Sequence, residues 1–214
     1  MKKNLTEIVF ILDRSGSMAG LEEDTIGGFN SMLKKQRKEA GEAVISTVLF
    51  DNVSQVVHDR LPIEKVSALT KDMYYVRGCT ALLDAVGDAV RHIRNVHRYA
   101  REEDRPERTL FIITTDGMEN ASRRYNYEQV HEMIQSMQKN FGWEFLFLGA
   151  NIDAAKEAAR FGIREDRAVN YHCDEEGTAL NYEVMSQTIC DFRAARPIQA
   201  GWKKRIEEDF KKRK

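Results

Sequence analysis

The chain of 214 residues carries 33 basic and 34 acidic side chains, a formal net charge of −1, and 42% hydrophobic residues. This length suits one α/β domain with a substantial core, and three prolines and 13 glycines exclude a collagen-like or low-complexity chain. The balanced charge excludes a global attraction to nucleic acid or to an anionic membrane.

Targeting signals and disulfides are not indicated. The longest apolar run near the start, Ile8–Leu12, has five residues, too few for a signal-peptide core or a membrane-spanning helix. The three cysteines, Cys79, Cys173 and Cys190, are odd in number and form no CxxC pair. We therefore expect a protein with no membrane span in a reducing compartment, the cytoplasm.

Apolar runs bounded by charge predict buried strands, and apolar residues at 3.6-residue spacing predict helices between them. In chain order, the predicted strands are 7–12, 43–50, 53–58, 109–115, 145–148 and 168–171, and the predicted helices are 26–36, 82–93, 127–137, 154–160 and 176–192. This alternation predicts an α/β fold, a doubly wound, mostly parallel sheet with helices on both faces in a Rossmann-like three-layer sandwich. The turn-prone Asp51-Asn52 between two strands predicts a hairpin, and therefore one antiparallel edge strand.

The last segment differs in character from the rest. Pro197 is expected to end the preceding helix, after which four large apolar residues recur at four-residue intervals, namely Ile198, Trp202, Ile206 and Phe210. Residues 203–214 hold seven basic and three acidic side chains. We therefore divide the chain into a domain, 1–196, and a basic amphipathic tail, 197–214. The tail either packs on the domain or docks on a partner or membrane surface.

Oxygen-bearing side chains follow the predicted parallel strands. Asp13, Ser15 and Ser17 come directly after the first strand, Asp116 follows the strand 109–115, and Thr80 precedes a helix. In doubly wound sheets, ligands gather at the carboxyl ends of the strands. Two carboxylates and three hydroxyls are hard donors, which favour Mg²⁺, with Mn²⁺ or Ca²⁺ as alternatives. Such a shell leaves a position for a carboxylate of another protein.

The segment Asp13-Arg14-Ser15-Gly16-Ser17 resembles the DxSxS signature of the von Willebrand factor type A (VWA) domain, over roughly residues 5–195. Thr80 and Asp116 match the other positions of that family's metal-ion-dependent adhesion site (MIDAS), which is complete here. The resemblance implies that these five residues ligate the metal directly or through water. It also implies a protein-binding adaptor module without enzymatic activity, similar to small cytosolic bacterial or phage members. Partners would present Glu or Asp, and include AAA-type ATPases or stress-response proteins.

Other interpretations remain open. Each ligand taken singly is also a common turn or helix-capping residue, and Glu119 and Asn120 are assigned to capping rather than to the site. A metal-dependent hydrolase or phosphotransferase would use the same site, although no phosphate loop, HExxH, GxSxG or GxGxxG motif is present. A nucleic-acid binder would use the basic tail, but aromatic and basic residues are not interleaved there beyond Trp202 and Phe210, so no specific nucleic acid is expected.

Overall fold

The structure, a computed structural model, describes residues 1–213. The strands are β1 (Lys2–Asp13), β2 (Glu42–Phe50), β3 (Ser54–Pro62), β4 (Pro106–Thr115), β5 (Glu144–Gly149) and β6 (Ala168–Asn170). The helices are α1 (Glu22–Gln36), α2 (Leu82–Tyr99), α3 (Tyr127–Phe141), α4 (Ala154–Arg160), α5 (Glu175–Arg193) and α6 (Lys204–Lys212), with short 3-10 turns between elements. None of these helices combines the length and apolar character needed to cross a lipid bilayer.

The six strands form one sheet in the order β3-β2-β1-β4-β5-β6. All neighbours are parallel except β2 and β3, which form the expected antiparallel edge. The predicted fold class is confirmed. Because β1 pairs with β2 on one side and with β4 on the other, the strand order reverses at β1, where a doubly wound sheet opens its binding crevice.

Side chains alternate along the central strands and fill a core on each face of the sheet. On β1, Ile8, Phe10 and Leu12 pack in the cluster that also contains residues of α1 and α5. Val9 and Ile11 face the opposite way and pack with residues of α2, α3 and α4. Because β1 packs against a core on both faces of the sheet, residues 8–12 form an unbroken hydrophobic run.

Among the strands that are longer than predicted are β1 and β3. β1 begins at Lys2 rather than at residue 7, because the polar start of the strand pairs with the backbone next to β4, where the Lys2 N–H donates to the Arg105 carbonyl at 2.7 Å. β3 continues to Pro62 rather than ending at residue 58, since its pairing with β2 extends to Val44. Backbone pairing, which polar residues also satisfy, sets both ends.

Residues of the predicted tail 197–214 lie against the domain, apart from Lys214, which is outside the described residues. Ile206 of α6 is buried in the same core cluster as Ile8. The Trp202 indole N–H donates to the Asp166 carbonyl at 2.9 Å, and the Lys203 ammonium donates to the Ala168 carbonyl at 2.7 Å. The apolar stripe of this segment thus covers the sheet next to β6.

We predict that Ile206→Ala lowers the free energy of unfolding by about 2–4 kcal/mol, because it removes a fully buried side chain and leaves a cavity. Lys211→Ala, an exposed change on the same helix, serves as the control and should stay within about 0.5 kcal/mol. Urea unfolding followed by circular dichroism measures both. A tail that detaches from the domain would give Ile206→Ala the stability of the parent protein.

Candidate metal centre

Five oxygen-bearing side chains meet at the carboxyl edge of the sheet. Asp13 is the last residue of β1, and Ser15 and Ser17 lie on the turn that follows it. Asp116 comes directly after β4, the parallel neighbour of β1, and Thr80 lies two residues before α2. The sheet order therefore places the two aspartates on adjacent strands.

Hydrogen bonds join the side chains of Thr80, Ser15, Ser17 and Asp116 into one chain of oxygens, and Asp13 is attached to this chain through the backbone N–H of Ser15. The Thr80 hydroxyl donates to Ser15 Oγ at 3.1 Å, and Ser15 Oγ lies 3.1 Å from Ser17 Oγ. The Ser17 hydroxyl donates to Asp116 Oδ1, and the Ser15 N–H donates to Asp13 Oδ1 at 2.7 Å. The structure thus brings together all five residues that the sequence singled out.

Both carboxylates are buried without a positive partner. Asp13 and Asp116 are each 2% exposed, and within residues 1–213 neither takes part in an ion pair. Burial raises the pKa of Asp13 to about 6, against hydrogen bonds from Thr115 and Ser15 that lower it, and burial also raises the pKa of Asp116. A divalent cation would stabilise two neighbouring carboxylates whose negative charges have no positive partner.

The donor set suits a hard cation. It consists of two carboxylates and three hydroxyls, the oxygen chemistry that Mg²⁺, Mn²⁺ and Ca²⁺ share. Within residues 1–213, no group of three or more histidine, cysteine, aspartate or glutamate side chains is placed to hold an ion. The cluster is a different kind of site, because most of its donors are neutral hydroxyls.

The loop that carries Thr80 is bound to the turn after β1. The Gly16 N–H donates to the Gly78 carbonyl at 3.1 Å, and the Arg77 N–H donates to the Arg14 carbonyl at 2.9 Å. Gly78 has a φ of +68°, and a Cβ there would lie 1.9 Å from Asn52 Oδ1, so only glycine fits. The same Asn52 oxygen accepts the N–H of Cys79, the residue after Gly78, at 2.8 Å.

The loop after β4 holds Thr80 from the other side. The Thr80 N–H donates to Asn120 Oδ1 at 2.9 Å, and the Asn120 N–H donates back to the Thr80 carbonyl at 3.1 Å. Glu119 accepts the N–H of Leu83, in the first turn of α2, at 2.9 Å. Glu119 therefore caps the first turn of α2, whereas Asn120 binds the backbone of Thr80 ahead of the helix.

An ion-pair cluster beside the site was not predicted from the sequence. Arg14 is completely buried, and its Nε donates to Asp51 Oδ2 at 2.8 Å. Arg77 Nε donates to the same oxygen at 2.8 Å. Burial alone would raise the pKa of Asp51, but hydrogen bonds from Arg77, Val53 and Arg14 outweigh it, so the pKa is lowered. This cluster ties the ends of β1 and β2 to the Thr80 loop.

Three further residues support the aspartates. The Thr115 hydroxyl donates to Asp13 Oδ2 at 2.6 Å, and the Tyr74 hydroxyl donates to the Asp13 carbonyl at 2.6 Å. Cys173 Sγ lies 3.4 Å from Asp116 Oδ2, and burial, followed by the charge of Asp116, raises the pKa of this thiol to about 12. The sequence could point to Thr115, because it directly precedes Asp116. No local sequence pattern marks Tyr74 or Cys173 as a neighbour of the aspartates.

Asp84 organises the chain beyond the site. Its carboxylate accepts the backbone N–H groups of Arg123 at 3.0 Å, Arg124 at 2.9 Å and Tyr125 at 3.0 Å. Burial would raise the pKa of Asp84, but these three bonds and the charge of Arg124 outweigh it and lower the pKa. The segment from Asp116 to α3 is thereby fastened to the first turn of α2.

No protein-family model and no curated protein matches the sequence. Solved structures do match it. The proximal thread matrix protein 1 of the mussel byssus, in a form described as having a zinc-occupied MIDAS motif, is 15% identical with a TM-score of 0.57 over 86% of this chain. A protein from Catenulispora acidiphila described as von Willebrand factor type A is 17% identical, with a TM-score of 0.55 over 86% of this chain.

The fold is that of a VWA domain. The vWF domain of the type V pili tip protein Mfa5 from Porphyromonas gingivalis is 12% identical, and its TM-score is 0.61 over 91% of this chain and 96% of that chain. This chain spans 46% of the mussel chain and 42% of the Catenulispora chain. At these identities, the likenesses show the fold alone.

We predict a pH-dependent stability difference between the parent protein and Asp84→Asn. Because folding lowers the pKa of Asp84 from 3.8, its carboxylate stabilises the fold above that pH, and the contribution is lost as the pH falls through the lower folded value. At pH 7 the variant should be about 1–3 kcal/mol less stable, since hydrogen bonds to a charged acceptor are weakened.

Urea unfolding between pH 7 and pH 3 measures this difference, which should narrow below the usual aspartate pKa. Asp88→Asn, one helical turn further along α2, is the matched control because Asp88 pairs with Arg124 but accepts none of the three backbone N–H groups. A gap that is constant across this pH range would contradict the assignment.

Proposed function

We propose that this VWA domain binds a partner protein through a divalent cation held by five residues, with a Glu or Asp of the partner as a further ligand. The residues are Asp13, Ser15, Ser17, Thr80 and Asp116. One observation carries the proposal: hydrogen bonds hold the five side chains together, four through their own oxygens and Asp13 through the Ser15 backbone N–H, and the two buried carboxylates have no cationic partner within residues 1–213. The zinc-occupied MIDAS motif named for the mussel protein supports binding of a divalent ion in this fold.

Mg²⁺ is the proposed ion because all five donors are hard oxygens, and Mn²⁺ and Ca²⁺ remain the alternatives. When bound, the ion would supply an electrophilic position that attracts an anionic oxygen. Asp13 and Asp116 supply two negative charges, which balance a divalent ion without exceeding it, and the hydroxyls add none. Ser17 is exposed while Asp13 and Ser15 are buried, so the cluster opens to solvent on the Ser17 side.

We further propose that the domain is an adaptor without enzymatic activity. Hydrolysis needs a general base beside the site, and the histidine side chains hydrogen-bond elsewhere. Their partners are Thr47 and Ser67 for His58, Asp59 for His92, Glu7 for His97, the Arg160 carbonyl for His131 and the Phe210 carbonyl for His172.

The cellular setting follows from the resemblance alone. It favours a cytoplasmic, bacterial or phage protein whose partner is an AAA-type ATPase or a stress-response protein. The scarcity of cysteine agrees with a reducing compartment. The competing function is a metal-dependent hydrolase or phosphotransferase that uses the same five residues.

Asp13→Ala should abolish the rise in melting temperature that saturating Mg²⁺ gives the parent protein, because the variant lacks one of the two charged donors. Without metal, the change removes an uncompensated buried charge but also leaves the Ser15 N–H and the Thr115 hydroxyl without their acceptor, so the readout is the Mg²⁺-induced rise and not the absolute melting temperature. Calorimetry with EDTA and with MgCl₂ measures this rise. Asp72→Ala, an exposed aspartate on the Thr80 loop, is the control. An undiminished Mg²⁺ response in Asp13→Ala would refute the metal centre.

We predict no turnover of p-nitrophenyl phosphate or bis-p-nitrophenyl phosphate with Mg²⁺ above the level of Asp13→Ala. The reason is the lack of a histidine bonded to any of the five oxygen donors. Release of nitrophenolate, followed by absorbance, is the measurement. Turnover that disappears in Asp13→Ala would instead establish the hydrolase or phosphotransferase.

A further inference from the structure

Three exposed apolar side chains lie on the loops around the metal centre. Among residues 1–213, the exposed large hydrophobic residues are Met1, Val53, Val56, Tyr75, Tyr99, Met118 and Phe141. Of these, Val53, Tyr75 and Met118 are 56%, 43% and 63% exposed, and all three lie on the loops that surround the five donors. Single exposed apolar residues are ordinary, but three on adjoining loops mark an interaction surface. We call these three residues the apolar rim.

Met118 adjoins the hydroxyl donors. It follows Gly117, where a Cβ would lie 3.4 Å from both Ser17 Oγ and Thr80 Oγ1. The backbone next to Met118 therefore touches the donor cluster. The Met118 side chain has few neighbours to cover it, and a flexible thioether chain of this kind adapts to a partner surface.

Tyr75 lies on the side of the ion-pair cluster. Its ring centroid is 5.3 Å from the Arg14 guanidinium carbon and 5.2 Å from that of Arg77. Arg14 directly follows the donor Asp13, so the ring is fixed close to the centre. Cation–π contacts with two guanidinium groups hold this exposed ring in place.

Val53 completes the rim at the turn between β2 and β3. Its N–H donates to Asp51 Oδ1 at 3.1 Å, and the preceding Asn52 accepts the N–H of Cys79, the residue before Thr80. A groove of about 840 Å³ runs from this turn and Cys79 to residues 120–124. Cys79 precedes the donor Thr80, and Asn120 accepts the Thr80 N–H, so this groove lies beside the Thr80 side of the centre.

The charge of this surface favours an anion. Arg14 and Arg77 share the single carboxylate of Asp51, which leaves one positive charge beside Tyr75. Asp13 and Asp116 would balance a divalent ion. Of the two arginines only Arg77 is exposed, so beside Tyr75 the surface combines an apolar ring with one accessible cationic side chain that attracts a carboxylate.

We propose that the apolar rim selects partners in which a single Glu or Asp is flanked by large apolar side chains. This inference rests on the proposed function and names the class of partner. The flanking side chains would cover the rim and exclude water from the carboxylate, which strengthens its attraction to the ion. An acidic run, in which charges flank the carboxylate, would leave the rim in contact with charged groups.

Three synthetic peptides test the selection: acetylated, amidated pentapeptides with Leu-Glu-Leu, Ser-Glu-Ser or Leu-Gln-Leu between terminal glycines. Chemical shifts of the ¹⁵N-labelled full chain in MgCl₂ or EDTA give the dissociation constants. With Mg²⁺, Leu-Glu-Leu should bind at least about tenfold more tightly than Ser-Glu-Ser. The difference comes from the apolar surface of the two leucines that is partly buried against the rim.

Rim variants provide the second measurement. Met118→Ser and Val53→Ser should each reduce the preference for Leu-Glu-Leu over Ser-Glu-Ser by about threefold or more, while calorimetric Mg²⁺ affinity without peptide stays unchanged. Tyr99→Ser and Phe141→Ser remove exposed aromatic rings where α2 and α3 end, at the opposite edge of the sheet. These controls should keep the parent preference.

The outcomes separate the two proposals. Equal binding of Leu-Glu-Leu and Ser-Glu-Ser would overturn the apolar selection and leave the metal-dependent module intact. Equal binding of Leu-Glu-Leu and Leu-Gln-Leu, insensitive to EDTA, would overturn the proposed function itself. A dimer seen by sedimentation velocity without peptide and lost in Met118→Ser would show that a second copy of this chain covers the rim, which would also overturn the inference.

Discussion

Two buried carboxylates at the ends of neighbouring strands, neither paired with a positive charge in the described part of the chain, are the constraint around which this edge of the molecule is arranged. Asp13 and Asp116 are brought together because β1 and β4 are parallel neighbours, and both sit where the strand order reverses. Burial makes each charge costly in isolation, as their raised pKa values show. Hydroxyls and backbone N–H groups relieve that cost in part, and a cation would relieve the rest.

Support for the carboxylates comes from loops that fasten one another. Thr80 is bound at its backbone to Asn120, and Glu119 reaches the first turn of α2, so the loops after β4 and before α2 form one unit. Arg14, buried against Asp51, joins the ends of β1 and β2 to the same unit. Because these loops are bound to one another at the ends of rigid strands, the five oxygen-bearing side chains can keep their geometry while the residues around them stay exposed to a partner.

The sheet and the meeting of five oxygen-bearing side chains at its edge were predictable because their signals are local. Unbroken apolar runs mark strands buried on both faces, as Val9 and Phe10 illustrate by packing into opposite cores. The carboxyl ends of such strands then locate Asp13 and Asp116. The roles of Arg14 and Cys173 were not predictable, because each depends on a partner 37 or 57 positions away whose approach only the packed loops determine. The start of β1 at Lys2 was missed since backbone pairing, and not hydrophobicity, extends it.

The distance along the chain between the donors has a kinetic consequence. Ser17 and Asp116 are separated by 99 positions, and Thr80 and Ser15 by 65. Closing such loops costs conformational entropy, and the cluster can be complete only after β4 has joined β1. During synthesis on the ribosome, a nascent chain from which β4 and Asp116 have not yet emerged lacks one of the two carboxylates. Whatever ligand the complete cluster takes therefore cannot be held by all five residues before that point of synthesis.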